Sequence, residues 1–183
     1  MGVAPLPDLG NCIEKEIIFR YTLYMTTRID RIDPRVLGAP KLIIRYNIVD
    51  ISPGQTMTQL DVANQPIIYW NSRIGEGPFT MIMVDPDSPD PANPIYREWI
   101  HWMLVNIPGN NINQAQELIP YQSPTPPRST HRYMFYLYDQ GGKTLPPYIS
   151  YPRQSFNRAL FLWQYGLLQT PIASNYFLVN AYE

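Results

Sequence analysis

The sequence is poor in cysteine and has no long apolar run. Among its 183 residues there is one cysteine, Cys12, so the chain cannot form an internal disulfide bond. A single thiol is typical of a protein from a reducing compartment, or of a fold that needs no disulfide. No stretch of about 18 consecutive apolar residues occurs, so the sequence does not predict a membrane-spanning helix.

The N terminus lacks the features of a targeting segment. Residues 1–7 have neither the basic region nor the apolar region of a signal peptide. Gly2 follows the first methionine, but Leu6 stands where a myristoylation motif requires serine or threonine. We therefore expect a cytoplasmic protein with no stable membrane anchor.

Charged side chains are also scarce. They make up 16% of the residues, and 14 basic against 15 acidic groups give a formal net charge of -1. A protein that binds nucleic acid through its phosphates needs a basic face. The charge balance therefore argues against direct binding of nucleic acid.

Proline and strand-forming residues, in contrast, are abundant. The 20 prolines lie between apolar runs, which indicates rigid loops rather than disorder. The runs are rich in β-branched and aromatic residues and predict strands at 17–25, 41–49, 65–70, 79–84, 99–107, 131–138 and 175–181. The run 79–84 has no polar residue except Thr80, which is typical of a central strand covered on both faces.

One segment has a helical period. Ser155 is a suitable N-cap, and Gly166 is a suitable residue for the C-terminal end. The apolar stripe of this helix consists of Phe156, Leu160, Trp163 and Leu167. Many strands, one clear helix and no internal repeat predict a single domain, 1–183, of mainly β class: an antiparallel β-sandwich with one or a few short helices.

Two aspartates flank a proline at the end of the predicted central strand. Pro86 disfavours helical backbone at Asp85 and stiffens the turn that carries Asp85 and Asp87. In many proteins such a turn is a solvated surface feature whose carboxylates bind local amides. A functional interpretation therefore needs other groups beside the turn.

The only two histidines of the chain stand near the starts of two predicted strands. Strand alternation places Trp99, His101 and Met103 on one face, and places His131 with Tyr133. A single histidine in such a position is more often a core residue bonded to a carbonyl group. Two imidazoles can instead serve an oxyanion, because a protonated ring donates from both nitrogens.

An anion beside two carboxylates requires that the carboxylates have cationic partners. Like charges about 4 Å apart repel by about 4 kcal/mol at an effective dielectric constant of about 20. A zwitterionic head group resolves the repulsion if histidine and backbone amides hold its phosphate while its ammonium faces the aspartates and aromatic rings. We therefore expect a ligand of the phosphate or phosphoethanolamine type and no cofactor.

Several segments together resemble the two signature regions of the phosphatidylethanolamine-binding protein family. They are 84–89 (VDPDSP), 94–101 (PIYREWIH), 105–109 (VNIPG), 126–127 (PP) and 131–133 (HRY). The resemblance implies a Greek-key β-sandwich with a small anion pocket at one end of the central sheet. The ligand-binding residues that it implies are Asp85, Asp87, Tyr96, Trp99, His101, Pro126, His131 and Tyr133.

The same resemblance implies a function without catalysis. Members of this family mostly act by binding kinases, proteases or transcriptional partners and are not established enzymes. We therefore expect a binding and signalling regulator with a lipid- or phosphate-binding pocket, and a protein partner such as a kinase or protease. The chain departs from the family pattern at Ile100, where many animal members have an additional histidine.

Two other functions stay open from the residues alone. A hydrolase could use the Asp/His cluster as acid and base and Ser88 or Ser129 as nucleophile, but no nucleophile-elbow motif is present. A metal site could use the two histidines and two aspartates as ligands for zinc or iron, but neither histidine stands in a closely paired ligand motif. The segment 121–127 is either a stiff pocket wall or an exposed polyproline loop.

Overall fold

The computed structural model describes residues 41–71, 76–146 and 151–182. The chain divides into two compact units, 1–32 and 33–183, and all described residues lie in the second unit. The predicted strand 17–25 lies outside the described residues. The single domain over 1–183 stays a prediction.

The described part contains nine strands and one α-helix. The strands are β1 (Ile43–Tyr46), β2 (Val49–Asp50), β3 (Gln55–Met57), β4 (Ile67–Tyr69), β5 (Phe79–Asp85), β6 (Trp99–Ile107), β7 (Gln116–Ile119), β8 (Thr130–Asp139) and β9 (Ala173–Asn180). The helix α1 is Arg158–Gln164, and a turn of 3-10 helix, Ile112–Gln114, precedes β7. The structure is therefore mainly β, as the sequence predicts.

The predicted strand 41–49 is a hairpin of β1 and β2. Asn47 has φ 53°, in the left-handed region that asparagine adopts more readily than most residues. The chain turns there, so that Tyr46 pairs with Val49. The prediction of one continuous strand is wrong in this detail.

The strands form two sheets, of which the larger has the order β3-β9-β8-β5-β6-β7. Strands β5, β6 and β7 are consecutive antiparallel neighbours, and β8 returns to lie beside β5. This order of one returning strand beside three consecutive ones is a Greek key. The only parallel pairing between the described strands is that of β3 with β9.

The larger sheet is covered on both faces. The smaller sheet, β2-β1-β4, packs on one face, and the core between the sheets includes Ile44, Ile68 and Phe135. On the other face the Arg158 guanidinium lies 3.9 Å from the centre of the Tyr136 ring. All seven residues of β5 are buried, which confirms the predicted central strand.

Helix α1 agrees only in part with the predicted apolar stripe: Phe156 and Leu167 are buried, but they flank the helix, and inside it the buried residues differ from those predicted. Asn157, not Ser155, is the N-cap, and its Oδ1 accepts a hydrogen bond from the Leu160 amide at 2.9 Å. Trp163, part of the predicted apolar stripe, is 45% exposed. The buried helix residues are Arg158, Ala159, Phe161 and Leu162. The polar contacts of Arg158 fix this orientation, and a hydrophobicity pattern does not include them.

The end of α1 agrees with the sequence. Gly166 has φ 63°, and its amide donates to the Trp163 carbonyl at 3.0 Å while the Leu167 amide donates to the Leu162 carbonyl at 2.7 Å. These two bonds are the Schellman arrangement, in which glycine avoids the strain of a left-handed residue. In the three described ranges, no helix has the length and apolarity needed to cross a bilayer.

Candidate functional site

A cavity of about 250 Å³ opens where β5 ends and β6 and β8 begin. Strand β5 is antiparallel to both neighbours, so its end lies near their starts: Asp85 pairs with Trp99, the first residue of β6, and Val84 pairs with Met134, the fifth residue of β8. The lining residues are Asp85, Ser88, Pro89, Tyr96, Trp99, His101, Gln122, Thr125, Pro126, Pro127 and Tyr133. Six of the eight sequence-predicted site residues are among them; Asp87 and His131 are not.

A β-bulge directs His101 into this cavity. The register between β5 and β6 shifts so that adjacent residues of β5 pair with Ile100 and Trp102, and His101 has no partner on β5. Bulges of this kind redirect a side chain. The His101 ring meets the Tyr133 ring edge-on, with 5.1 Å between centroids. Tyr133 belongs to the core between the sheets and Met103 does not, so the predicted grouping of His101 with Met103 is wrong.

The main chain of Gln122 sets the tautomer of His101. The Gln122 amide donates to the His101 carbonyl at 2.9 Å, and the Gln122 carbonyl lies 2.8 Å from Nδ1 of His101. A carbonyl only accepts, so Nδ1 carries the hydrogen. Burial lowers the pKa of His101, and this outweighs the raising effects of the Gln122 carbonyl and Asp85, with Arg153 and His131 lowering the pKa further. The neutral ring leaves Nε2 as an acceptor.

Two further side chains hold the same wall. Sequence reasoning placed Gln122 in the possible wall segment 121–127 without giving its side chain a role, and it missed Arg153. The Gln122 side chain accepts a hydrogen bond from Nε1 of Trp99 at 3.1 Å. The Arg153 guanidinium donates at 2.9–3.1 Å to the carbonyls of Ile100, His101 and Pro120. Arg153 therefore holds the bulge in place. No motif marks either residue, because their roles depend on contacts between distant segments.

His131 lies behind the cavity and pairs with Asp85. Its Nδ1 is 2.7 Å from Oδ2 of Asp85, and Oδ1 of Asp85 accepts the Asp87 amide at 2.7 Å. Burial lowers the pKa of His131, but the hydrogen bond and charge of Asp85, the charge of Asp87 and the Arg128 carbonyl together raise the pKa above its ordinary value. The charge of Asp85 is thus compensated from within the protein.

Asp87 does not line the cavity because it binds arginine. Its carboxylate accepts from Arg132 through the backbone amide at 2.9 Å and through Nε at 2.8 Å and Nη2 at 2.5 Å. Nη2 of Arg97 lies 3.8 Å from the same carboxylate. These bonds tie the turn after β5 to β8. The cationic partners that the aspartates require are therefore protein side chains, and no ligand ammonium is needed to balance them.

The proline-rich segment 121–127 is a wall of the cavity. Four of its residues, Gln122, Thr125, Pro126 and Pro127, line the cavity. Tyr121 anchors the segment, since its hydroxyl donates to the Val62 carbonyl at 2.7 Å and lies 2.9 Å from the Tyr46 hydroxyl. Of the two possibilities that the sequence left open, the stiff wall is the correct one.

The cavity combines one carboxylate with neutral polar groups and rings. Asp85 is the only acidic or basic residue among the described residues that line it, apart from neutral His101. Burial raises the pKa of Tyr133, and the charges of Asp85 and Asp87 and neighbouring Tyr121 raise it further. The Tyr133 hydroxyl therefore keeps its proton and can donate to a ligand.

This geometry gives little support to the hydrolase alternative or to the metal-site alternative. Ser88 lines the cavity, but within the described residues no hydrogen bond joins it to a histidine, and Ser129 is exposed and away from the lining. A serine nucleophile needs an adjacent base. In the same part of the chain, no three histidine, cysteine or acidic side chains come together in a way that could hold a metal ion.

Comparison with known sequences gives matches over most of the chain. The profile of the phosphatidylethanolamine-binding protein family matches residues 47–177. The chain is 38% identical over 116 residues to putative odorant-binding protein A5 of Drosophila melanogaster, covering 60% of this chain and 55% of that protein. It is 32% identical over 162 residues to protein TWIN SISTER of FT of Arabidopsis thaliana, covering 81% and 91%. The chain spans about half the length of several curated relatives that it matches.

Solved structures give the same picture of the fold. The solution structure of CG7054 superposes with a TM-score of 0.62 at 35% identity, covering 79% of this chain and 86% of that one. The carboxypeptidase Y inhibitor, solved in complex with its cognate proteinase, has a TM-score of 0.62 at 20% identity, covering 78% and 85%. At the lower identity the likeness extends to the fold alone.

Proposed function

The chain belongs to the phosphatidylethanolamine-binding protein family, and on this premise we propose that it is a non-enzymatic regulator whose cavity binds the phosphate of a phosphorylated head group or side chain. Family membership supports a non-catalytic binding or regulatory role in general. The observation that carries the finer proposal is the convergence of Asp85, His101 and Tyr133, from three separate strands, in one small cavity.

The cavity combines a few polar groups with prolines and aromatic rings, which suits a phosphoethanolamine-type ligand. The hydroxyl groups of Ser88 and Tyr133 and the side-chain NH2 group of Gln122 can donate to phosphate oxygens. The rings of Tyr96 and Trp99 lie 6.2 Å apart, tilted by 59°, and Tyr96 is 38% exposed. Aromatic faces attract organic cations, so we place the phosphate inside and the ethanolamine against these rings.

A protein partner at the cavity mouth completes the proposal. Ile95 is 60% exposed beside Tyr96, which gives an apolar surface at the entrance. The carboxypeptidase Y inhibitor shares this fold and was solved with its cognate proteinase, which supports a protease as the kind of partner for this chain; a kinase is proposed on the family resemblance alone. Such a partner would sense whether the cavity is filled.

Removal of one hydroxyl group tests the phosphate site. Tyr133→Phe should weaken phosphoethanolamine binding by about tenfold, because hydrogen bonds to charged groups contribute about 1.5–3 kcal/mol. Tyr69→Phe is the matched control, since Tyr69 lies on the smaller sheet and binds Arg45 and Asp50. Isothermal titration calorimetry measures both. Equal affinities for the two variants would contradict a phosphate site at Tyr133.

The ammonium and the absence of catalysis need separate measurements. Equal affinity for phosphoethanolamine and inorganic phosphate would remove the ammonium from the proposal.

Turnover of any ester or phosphoester in a substrate panel, lost in His101→Ala, would establish a hydrolase instead. A cytoplasmic location is also proposed, on the sequence alone, and cell fractionation tests it.

A further inference from the structure

The cavity has acceptor groups where a fully ionised anion would need donors. Of the described residues that line it, none is lysine or arginine, and Asp85 is a carboxylate. His101 holds its hydrogen on Nδ1, bound to the Gln122 carbonyl at 2.8 Å. Nε2 is the ring nitrogen left for a ligand, and it carries a lone pair. A ligand that meets these groups must itself bring a hydrogen.

We propose that the cavity selects an anion that carries its own proton, the singly ionised form of a phosphate monoester, over a fully ionised anion such as sulfate. The inference rests on the proposed phosphate site and specifies which form of phosphate that site takes. In the complex the P–OH group donates to Nε2 of His101. The remaining phosphate oxygens accept from the hydroxyl of Tyr133 and from neighbouring neutral donors.

Asp85 provides the second source of selectivity. Its pairing with His131 at 2.7 Å neutralises the pair as a whole, but the carboxylate is the member that lines the cavity and His131 lies behind it. A second negative charge on the ligand would face this carboxylate with no cation among the described lining residues. The singly ionised ligand avoids that repulsion.

The groups around His101 keep its ring neutral in the free protein. They are Asp85 on β5, His131 on β8, Arg153 before α1 and the Gln122 carbonyl. The two positive groups and burial oppose a further proton on the ring, and only Asp85 and the carbonyl favour it. A ligand that brings the proton avoids the free-energy cost of protonating His101.

Four probes distinguish the effect of the ligand's donor hydrogen from the effects of its charge and its ammonium group. Phosphoethanolamine and inorganic phosphate can each carry a donor hydrogen, whereas sulfate has none at neutral pH. Glycerophosphoethanolamine, a phosphodiester like that of a lipid head group, has one negative charge but no P–OH. The comparison of monoester with diester therefore also distinguishes free phosphate compounds from a lipid head group as the source of the ligand.

Calorimetric titration of the full chain with these probes is the first test. Phosphoethanolamine should bind at least about tenfold more tightly than sulfate at pH 7, because a site built to accept a hydrogen bond rejects analogues that lack the donor. Its affinity should fall by about tenfold per pH unit above the second pKa of a monoester, which is about 6. Glycerophosphoethanolamine should bind more weakly than phosphoethanolamine, because it lacks the P–OH donor, and more tightly than sulfate, because it carries a single negative charge.

The possible outcomes separate the inference from the function on which it rests. Sulfate binding as tight as phosphoethanolamine binding would overturn the proton selectivity and leave an anion site in place. No binding of any probe would overturn both. Phosphoethanolamine affinity that does not change between pH 6 and pH 8 would also overturn the selectivity.

Nitrogen-15 NMR of the imidazole rings gives a readout that needs no variant. The chain has two histidines, so the spectrum is simple. With phosphoethanolamine bound, His101 should stay neutral, with hydrogen on Nδ1 and none on Nε2. A His101 ring protonated on both nitrogens in the complex would show that the protein, not the ligand, supplies the proton, and would overturn the inference.

Asp85→Asn tests the second source of selectivity. The amide removes the charge and adds a donor, so the preference for phosphoethanolamine over sulfate should shrink severalfold. Asp90→Asn is the matched control: it removes one charge from the same loop, where Oδ1 accepts the Ala92 amide at 2.9 Å, and it does not line the cavity. An unchanged preference in Asp85→Asn would contradict the role of its carboxylate.

Discussion

At the scale of single residues, the two histidines have opposite environments although both stand at strand starts. His101 lines the cavity, and burial lowers its pKa. His131 is fully buried, and Asp85 raises its pKa despite that burial. His131 thus matches the core-histidine alternative, although its partner is a carboxylate. The sequence grouped eight residues as one site, of which the structure brings six to the cavity lining, but it did not separate those that line the cavity from those that lie behind it.

The His131–Asp85 pair gives a stability that depends on pH. A raised pKa in the folded protein means that the stabilisation is complete below the unfolded value of about 6.5 and disappears as the pH rises through the folded value. His131→Gln should therefore lower the free energy of unfolding by about 1–3 kcal/mol at pH 5.5 and by less at pH 8.5. Urea unfolding at both pH values measures this difference.

His101 makes the opposite contribution, so the comparison must be between His131→Gln and wild type at each pH. The lowered pKa of His101 gives stability above about pH 6.5 that is lost as the pH falls through its folded value. This contribution is present in both proteins and largely cancels in the difference, because His131 has the smallest effect of the groups that shift the pKa of His101. A difference that grows with rising pH would show that His131 is not stabilised in its charged form.

At the scale of elements, the long strands were predictable, as was the short strand β4 inside the predicted run 65–70, whereas the short strands β2, β3 and β7 were not predicted as separate elements. Strands β5, β6 and β8 have seven to ten residues, and their apolar and aromatic runs identify them. Strands β2 and β3 have two and three residues, too few for any periodicity. The bulge in β6 was also unpredictable, because it arises from pairing with β5 and from the contacts of Arg153.

Arg153 is expected to control both stability and binding through this bulge. Arg153→Lys keeps the charge but loses the simultaneous contacts to three carbonyls, since these use both terminal nitrogens of the guanidinium and lysine has only one nitrogen. We expect a loss of about 1–3 kcal/mol in the free energy of unfolding and weaker phosphoethanolamine binding, because His101 is no longer held. Urea unfolding and calorimetry check the two effects.

The control for this variant is Arg45→Lys. Arg45 pairs with Asp50 on the exposed side of the smaller sheet, where such a pair contributes about 0–1 kcal/mol. It should leave ligand binding unchanged. If Arg153→Lys behaves like Arg45→Lys in both measurements, Arg153 does not hold the bulge.

At the scale of the whole described structure, two charge clusters tie together the elements that form the cavity. The part-buried Asp87–Arg132 bonds join the turn after β5 to β8. In the buried cluster, Arg158 donates to Glu98 at 2.9 Å and to the Tyr138 hydroxyl at 2.7 Å. Glu98 directly precedes the first residue of β6. Helix α1 is thus fastened to the segment that delivers Trp99 to the cavity.

Breaking the second cluster should be costly for the fold. Glu98 and Arg158 are 3% and 2% exposed, and removal of one member of a buried ion pair typically costs about 3–5 kcal/mol. Glu98→Gln should therefore lower the free energy of unfolding by an amount in that range, and Glu98→Gln combined with Arg158→Met should lower it by less. Thermal and urea unfolding measure both variants. Similar stability of Glu98→Gln and wild type would contradict this role.

The contact between His101 and position 122 has a consequence for redesign. The group that accepts the hydrogen bond from Nδ1 of His101 is the backbone carbonyl oxygen of residue 122, and every amino acid has one. Replacing Gln122 would change the shape of the cavity and remove the hydrogen bond to the indole of Trp99, while the imidazole of His101 kept its orientation. Proline is the exception, since it has no amide hydrogen to donate to the His101 carbonyl. Substitutions at position 122 can therefore change the ligand preference of the cavity without moving the hydrogen from Nδ1 of His101.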